Sequence, residues 1–296
     1  MILILLGAGC TKNIFSEHQS VLDSAVNSKN HLSTLKIGVL PTQNRTEQER
    51  MIQPLDEYLE KSLRRQVVFQ IANNYQEAVD WLVQGKLDIA YLGPVTYLEA
   101  IEKGAKVELL VAPIDKHTGQ PWYRSCIVVK ADSPIKTIAD LKGKRVAFVD
   151  KSSTSGYLMA AASLKKLKIN PNQDFAQVVF AGSHSKSMKA LEDGIVDAAI
   201  TNFSSYLKHQ KKGKLTPQNS RVIWESAPIP HSPIVISQKL SPELILQLKR
   251  AFISSPDGIE DIVGTESAGY TLVVPSDYAP IQKLRQELNF ISTSAK

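Results

Sequence analysis

The chain has 296 residues, 43% of them hydrophobic and 22% charged, with 35 Lys+Arg against 29 Asp+Glu for a net charge of +6. That length exceeds one compact core and predicts two lobes of roughly 100–150 residues, and the ordinary composition excludes a disordered or low-complexity chain. The modest basic excess fits either a basic surface or the steering of an anion toward a cleft. No nucleic-acid partner is expected, because the longest basic cluster, Lys208 to Lys214, is short and reads as a solvated helix end.

The chain opens on apolar Met1 to Leu6, followed by Gly7-Ala8-Gly9-Cys10. Small residues ahead of a cysteine resemble the lipobox of bacterial lipoproteins, in which the cysteine thiol receives lipid. Gly7 departs from the aliphatic residue that pattern prefers, and the apolar run is shorter than the ~7–15 residues of a signal-peptide core. Residues 1–10 are read as this signal- or lipobox-like segment, with Cys10 as the lipidation site; a truncated plain signal is the alternative. Residues 11–34 are polar and read as a tether. No other stretch reaches the ~18 apolar residues of a membrane span, so the membrane is met through a lipid anchor only. The second cysteine, Cys126, lies in a β-branched run and reads as a buried thiol.

Folded structure is expected from Leu35. Leu35–Leu40 is a short strand ending at Pro41, and Glu47–Leu63 has helical spacing at Met51, Ile52, Leu55, Tyr58, Leu59 and Leu63. Strand Val67–Ile71, helix Tyr75–Val83, strand Leu87–Tyr91, a helix from Pro94 and strand Val107–Ala112 follow. The alternation restarts with strand Arg145–Val149, helix Gly156–Leu167, strand Gln177–Phe180, helix Lys186–Glu192, strand Val196–Ile200, helix Phe203–His209 and strand Arg221–Trp224. Such alternation implies mainly parallel sheets covered by helices. A long β run, Tyr123–Lys130, lies between the two units, another, Ile234–Ser237, follows the second, and helical Ser241–Phe252 is too small to form a lobe of its own. The reading is a two-lobed α/β chain with two crossovers and a hinge: residues 35–129 plus 232–296 form the first lobe and 130–231 the second. A cleft between lobes, at the C-terminal ends of parallel strands, is where a ligand would sit.

The segment with most chemistry is Asp150-Lys151-Ser152-Ser153-Thr154-Ser155-Gly156-Tyr157. It follows a strand and opens a helix, so hydroxyls and first-turn amides face the same point. Gly156 permits close backbone approach. An anion site and a serine-rich helix cap both fit these residues. Tyr91-Leu92-Gly93-Pro94-Val95-Thr96 repeats the strand-to-helix device in the first lobe, with Tyr91, Gly93 and Thr96 as possible contacts, although a routine turn has the same pattern. His184, in Gly182-Ser183-His184-Ser185, follows a strand on the same rim and can donate to a phosphoryl oxygen.

Together with Asn74-Tyr75-Gln76-Glu77-Ala78, Leu87-Asp88-Ile89-Ala90-Tyr91-Leu92-Gly93-Pro94 and Gly194-Ile195-Val196-Asp197-Ala198, these segments resemble the phosphate/phosphite/phosphonate-binding proteins of ABC transporters. The resemblance covers about 35–252 and implies the type II periplasmic-binding-protein fold. It also implies that Ser153, Thr154 and Ser155 cradle a phosphonate head, that His184 binds an oxygen, and that Tyr75 and Tyr123 flank the group. The family often carries an Asp near the second crossover. Here the residues are Pro230-His231-Ser232-Pro233, so His231 and Ser232 are candidates in its place and a cationic aminoalkyl tail loses its counter-charge.

The resemblance implies a non-enzymatic, high-affinity binding protein for phosphite or a short alkylphosphonate such as methylphosphonate. It would work as a monomer in the periplasm or cell envelope, deliver to an ABC permease and ATPase, and need no cofactor or metal. A sensory or accessory ectodomain binding phosphate or aminoethylphosphonate is the alternative. Hydrolysis by Ser153 or Ser155 with His184 is disfavoured, since neither Gly-x-Ser-x-Gly nor His-Glu-x-x-His occurs.

Overall fold

The computed structural model describes residues 34–116, 118–256, 259 and 267–288. The expectations for residues 1–10, for lipidation at Cys10 and for the tether up to residue 33 lie outside the described residues.

The chain runs through β1 (Leu35–Val39), α1 (Arg45–Leu63), β2 (Val67–Ile71), α2 (Tyr75–Val83), β3 (Ile89–Tyr91), α3 (Pro94–Glu102) and β4 (Val107–Asp115). It crosses through the two-residue β5 (Trp122–Tyr123) into β6 (Ser125–Lys130) and β7 (Arg145–Phe148). A π-helical turn, Thr154–Leu158, leads into α4 (Met159–Lys166) and the short α5 (Pro171–Asp174). Then come β8 (Gln177–Phe180), α6 (His184–Glu192), β9 (Ala198–Asn202), α7 (Phe203–Lys211) and β10 (Ser220–Glu225). The chain returns through β11 (Ile229–Pro230) to β12 (Ile234–Ser237), α8 (Pro242–Ile253), β13 (Ser267–Thr271) and α9 (Ala279–Glu287).

Two sheets result, in the orders β13-β4-β12-β3-β1-β2 and β10-β6-β9-β7-β8, with β5 and β11 pairing as a separate ribbon between them. The sheets share a plan. Each has a parallel trio, β2-β1-β3 or β8-β7-β9. Beside the trio lies an antiparallel strand that has just arrived from the other lobe, β12 or β6. The expectation of mainly parallel sheets therefore holds for the trios only; a strand fed in from the opposite lobe enters from the other end and must run against them.

The two crossovers are as expected, but the first comes earlier than the sequence reading placed it. Ser125–Lys130 pairs with β9 and β10, so this stretch belongs to the second sheet rather than to a first lobe ending at 129. Unbroken β propensity from Tyr123 to Lys130 hid the change of sheet. The bounds of the two lobes are accordingly set by the β5–β11 ribbon.

Both faces of each sheet are covered. On the first sheet, Ile52, Leu55 and Leu59 of α1 share a core with Leu248 and Phe252 of α8. Ala78, Val79 and Leu82 of α2 pack with Ala100 of α3 and Ile281 of α9 on the opposite face. The second sheet carries Ala160 and Leu164 of α4 on one side, and Met188 and Leu191 of α6 on the other. Cys126 is a buried free thiol of β6, and burial raises its pKa. Helix α9 reaches both lobes: buried Arg285 pairs with both oxygens of Glu102 at 2.7 and 3.0 Å, and Lys165 of α4 donates to the Glu287 carbonyl at 2.7 Å. Among the described residues no helix is long and apolar enough to cross a membrane.

Candidate functional site

The C-terminal ends of both parallel trios face each other across the cleft, and the helices that follow them begin there. Their caps are local and explicit. Asn74 accepts the Glu77 amide at 2.9 Å, Ser153 accepts the Gly156 amide at 3.0 Å, and Ser183 accepts the Lys186 amide at 3.2 Å. A capping residue in extended conformation sends the next residue forward as the first of its helix. Tyr75, Thr154 and His184 all hold that position, and all three point into one cavity.

That cavity is lined by Leu40, Thr42, Tyr75, Tyr91, Leu92 and Gly93 of the first lobe, Tyr123 and Ser232 of the crossovers, and Ser153, Thr154, Ser155 and His184 of the second lobe. Its volume is about 30 Å³, where roughly 10–15 Å³ on the same measure holds one water. This is room for a compact group and little more. Among the described residues, no Asp, Glu, Lys or Arg lines it.

The cleft is closed by hydrogen bonds that run between lobes. The Val95 amide donates to Thr154 Oγ1 at 2.9 Å. The Thr42 carbonyl accepts the amides of His184 at 3.1 Å and Ser185 at 3.4 Å. Tyr75 hydrogen-bonds with Ser153, and burial keeps its phenol protonated by raising its pKa. Ser152 donates to Glu99 at 3.1 Å. Nearer the rim, Glu47 of α1 meets Lys208 of α7 and Lys212, the C-cap of that helix, at 3.1 and 3.2 Å, with Lys208 only 11% exposed. The basic cluster read as a solvated helix end is thus, at Lys208, half of an inter-lobe ion pair.

The π-helical turn matters for donors. Within the described residues, no acceptor is bonded to the amides of Thr154 and Ser155, so two N–H groups remain at a positive helix end beside the three hydroxyls. The helix expected from Gly156 starts instead at Thr154, as this wider turn. His184 is fully buried, and that burial pulls its imidazole down to about 3, so the ring is neutral at neutral pH. Its Nδ1 lies 3.0 Å from Thr201 Oγ1.

Nine of the twelve candidate residues therefore line one space: Tyr75, Tyr123, Ser153, Thr154, Ser155, His184, Tyr91, Gly93 and Ser232. Three do not. Thr96 turns its hydroxyl back to the Gly93 carbonyl at 2.9 Å. Gly156 has no side chain to offer and is needed for packing, since a Cβ there would collide with Val149. His231 sits behind the wall, its Nδ1 accepting the Ser232 amide at 2.9 Å and its ring 5.2 Å from that of Tyr123. Gly93 lines the cavity with its backbone; its φ of −77° is open to any residue, and a Cβ there would meet Thr96 Oγ1 at 3.6 Å and Thr154 Oγ1 at 3.7 Å, ordinary contact distances. Leu40, Thr42 and Leu92 were missed; for Thr42 the available signal was its place just beyond β1. Among the described residues, Ser153 Oγ accepts the Gly156 amide at 3.0 Å and His184 Nδ1 lies against Thr201 Oγ1 at 3.0 Å.

A family model described as "ABC transporter, phosphonate, periplasmic substrate-binding protein" matches residues 37–279. The phosphate-import protein PhnD of Mycolicibacterium smegmatis is 33% identical over 227 residues, 74% of this chain and 71% of that protein. The phosphonates-binding periplasmic protein of Escherichia coli is 28% identical over 226 residues, 75% of this chain and 66% of that protein. Among solved structures, PhnD1 of Prochlorococcus marinus in complex with methylphosphonate superposes with a TM-score of 0.77 at 21% identity, covering 87% of this chain and 99% of that one. This last likeness concerns the fold.

Proposed function

Since the chain belongs to the phosphonate-type periplasmic substrate-binding proteins of ABC transporters, we propose that it captures phosphite or a short alkylphosphonate such as methylphosphonate in this cavity. One observation carries the reading. Hydroxyls and spare amides of the Ser153–Ser155 turn, the His184 ring, and the Tyr75 and Tyr123 side chains converge from both lobes and the crossover on one small space. Three oxygens of a tetrahedral anion can accept from such a ring of neutral donors, and exclusion of water strengthens each bond. The size of the cavity, and a lining without a carboxylate among the described residues, disfavour an aminoalkyl tail.

Closure is the coupling step. Only the closed form contacts the ligand from both sides, so ligand binding draws the lobes together about the β5–β11 ribbon. The closed monomer then docks on an ABC permease with its ATPase. The location is periplasmic, with Cys10 as the lipid anchor.

Calorimetry over phosphite, methylphosphonate, phosphate and aminoethylphosphonate tests this. The expected order places phosphite or methylphosphonate first and aminoethylphosphonate last. No heat and no thermal shift with any of the four would remove the assignment. Phosphate is the competing ligand, since the relative from M. smegmatis is named for phosphate import; its P–OH at neutral pH needs an acceptor, and no carboxylate among the described residues lines the cavity to supply one.

A further inference from the structure

His184 faces the cavity as a neutral ring, so what it offers a ligand depends on which nitrogen carries the proton. The wall behind it answers that. Thr201 lies on β9, is fully buried, and places Oγ1 3.0 Å from Nδ1. Among the described residues this is the sole partner of the Thr201 hydroxyl. Two arrangements are possible. If Nδ1–H donated to Oγ1, the threonine proton would be buried with no acceptor, at the desolvation cost of an unmade bond. A bare Nε2 would then confront the oxygens of an anion. If instead Oγ1–H donates to Nδ1, the threonine proton is satisfied and Nε2–H is left to the cavity.

We propose that Thr201 is a positioning residue that fixes the tautomer of His184, so that the ring presents Nε2–H to a ligand oxygen. The role in ligand binding rests on the phosphorus-oxyanion reading above; the tautomer itself does not. The consequence for specificity is concrete. Thr201 makes the ring a donor without giving it charge, so the site grips an unprotonated oxygen and offers no imidazole acceptor for a P–OH group. The Thr42 carbonyl acts on the same residue from the other lobe, accepting the His184 amide at 3.1 Å. The ring is thus held along its backbone by one lobe and at Nδ1 by the other.

The test uses the whole protein labelled with 15N, with His184→Gln to identify the ring signals. Long-range 1H–15N spectra of the ligand-free wild type should show a protonated Nε2 and a bare, hydrogen-bonded Nδ1. Thr201→Val, close in shape, should change the Nδ1 signal and mix the tautomers. It should also weaken methylphosphonate binding roughly three- to tenfold, the range of one neutral hydrogen bond. Thr201→Ser should restore both. A protonated Nδ1 in the wild type overturns the proposal, and so does either an unchanged ring spectrum or an unchanged affinity in Thr201→Val. If the wild type binds no member of the oxyanion panel, the functional reading fails instead, while the ligand-free spectrum still decides the tautomer.

Discussion

The amide of Val95, at the opening of α3 in the first lobe, donates to Oγ1 of Thr154 in the second lobe at 2.9 Å. By accepting this bond the Thr154 hydroxyl keeps its own proton to give, and it sits on the cavity wall. One oxygen thereby serves closure and capture together. Thr154→Val removes both roles and should cost about 1.5–3 kcal/mol, or roughly tenfold to over a hundredfold in affinity for methylphosphonate. Thr154→Ser keeps the hydroxyl and should stay near wild type. Calorimetry reads both variants, and a Thr154→Val affinity equal to that of the wild type would place the ligand elsewhere.

Glu47 lies outside the cavity but is 12% exposed and bridges to two lysines of the other lobe. Glu47→Gln should leave the binding surface intact and destabilise the closed form. The expected loss is about 1 kcal/mol, roughly fivefold in affinity, appearing mainly in the dissociation rate. Added salt should weaken wild-type binding more than that of the variant. Stopped-flow measurements at two ionic strengths check this; identical salt slopes would contradict it.

Acid should destabilise the protein before its carboxylates titrate. Burial pulls His184 down to about 3, and it pulls His231 down to about 4 against the opposing pull of Asp115. His209 shifts in the same direction, again through burial. The unfolded chain binds these protons near pH 6.5 and the folded one does not, so stability is full above that pH and falls as pH drops toward the folded values. Each fully buried ring contributes up to about 1.4 kcal/mol per pH unit in that window. Burial works to raise Glu47, but hydrogen bonds from Arg50, Lys208 and Lys212 hold it at about 2; its contribution is present above 4.5 and lost below. Burial raises Glu99 and Asp150, which offsets part of the loss near pH 4. Urea midpoints should therefore fall from pH 7 to pH 5, and His231→Gln should flatten that slope. A midpoint independent of pH across this range would refute the account.

Gly156→Ala tests the turn. The added Cβ would collide with the side chain of Val149 and lie 2.8 Å from Ser153 Oγ. Displacing the cap should cost about 1–3 kcal/mol of stability and abolish binding measured on the folded fraction. Retained stability and affinity would mean that the turn relaxes freely.

Much of this was legible in the sequence because it is local. The spacing of Met51, Ile52, Leu55 and Leu59 marks the buried face of α1, and the strand-then-cap pattern announces Ser153; the helix expected from Lys186 starts two residues earlier, at His184, with Ser183 as its cap. What escaped depends on partners distant in sequence. Nothing near Thr42 shows that its carbonyl will cap α6, and nothing near Lys208 shows that Glu47 will meet it. His231 and Ser232 were both candidates because they stand where the family often carries an Asp, but neighbouring residues of an extended chain point to opposite sides, and only Ser232 lines the space. The change of sheet before Ser125 was invisible for a similar reason: strand propensity says that a stretch will pair, and leaves open with what.

The pairing of β5 with β11 has a mechanical consequence. Two separate tethers would let the halves swivel about several axes, whereas two tethers bonded to each other through Tyr123–Ile229 and Trp122–Pro230 must bend as one. Swivelling and shear are then disfavoured relative to bending, and the half-buried indole of Trp122, with Arg124 5.4 Å above it, lies on the bending strip. With Trp81 and Trp224 replaced by Phe, the fluorescence of Trp122 should change on ligand binding and report that bending without any attached dye.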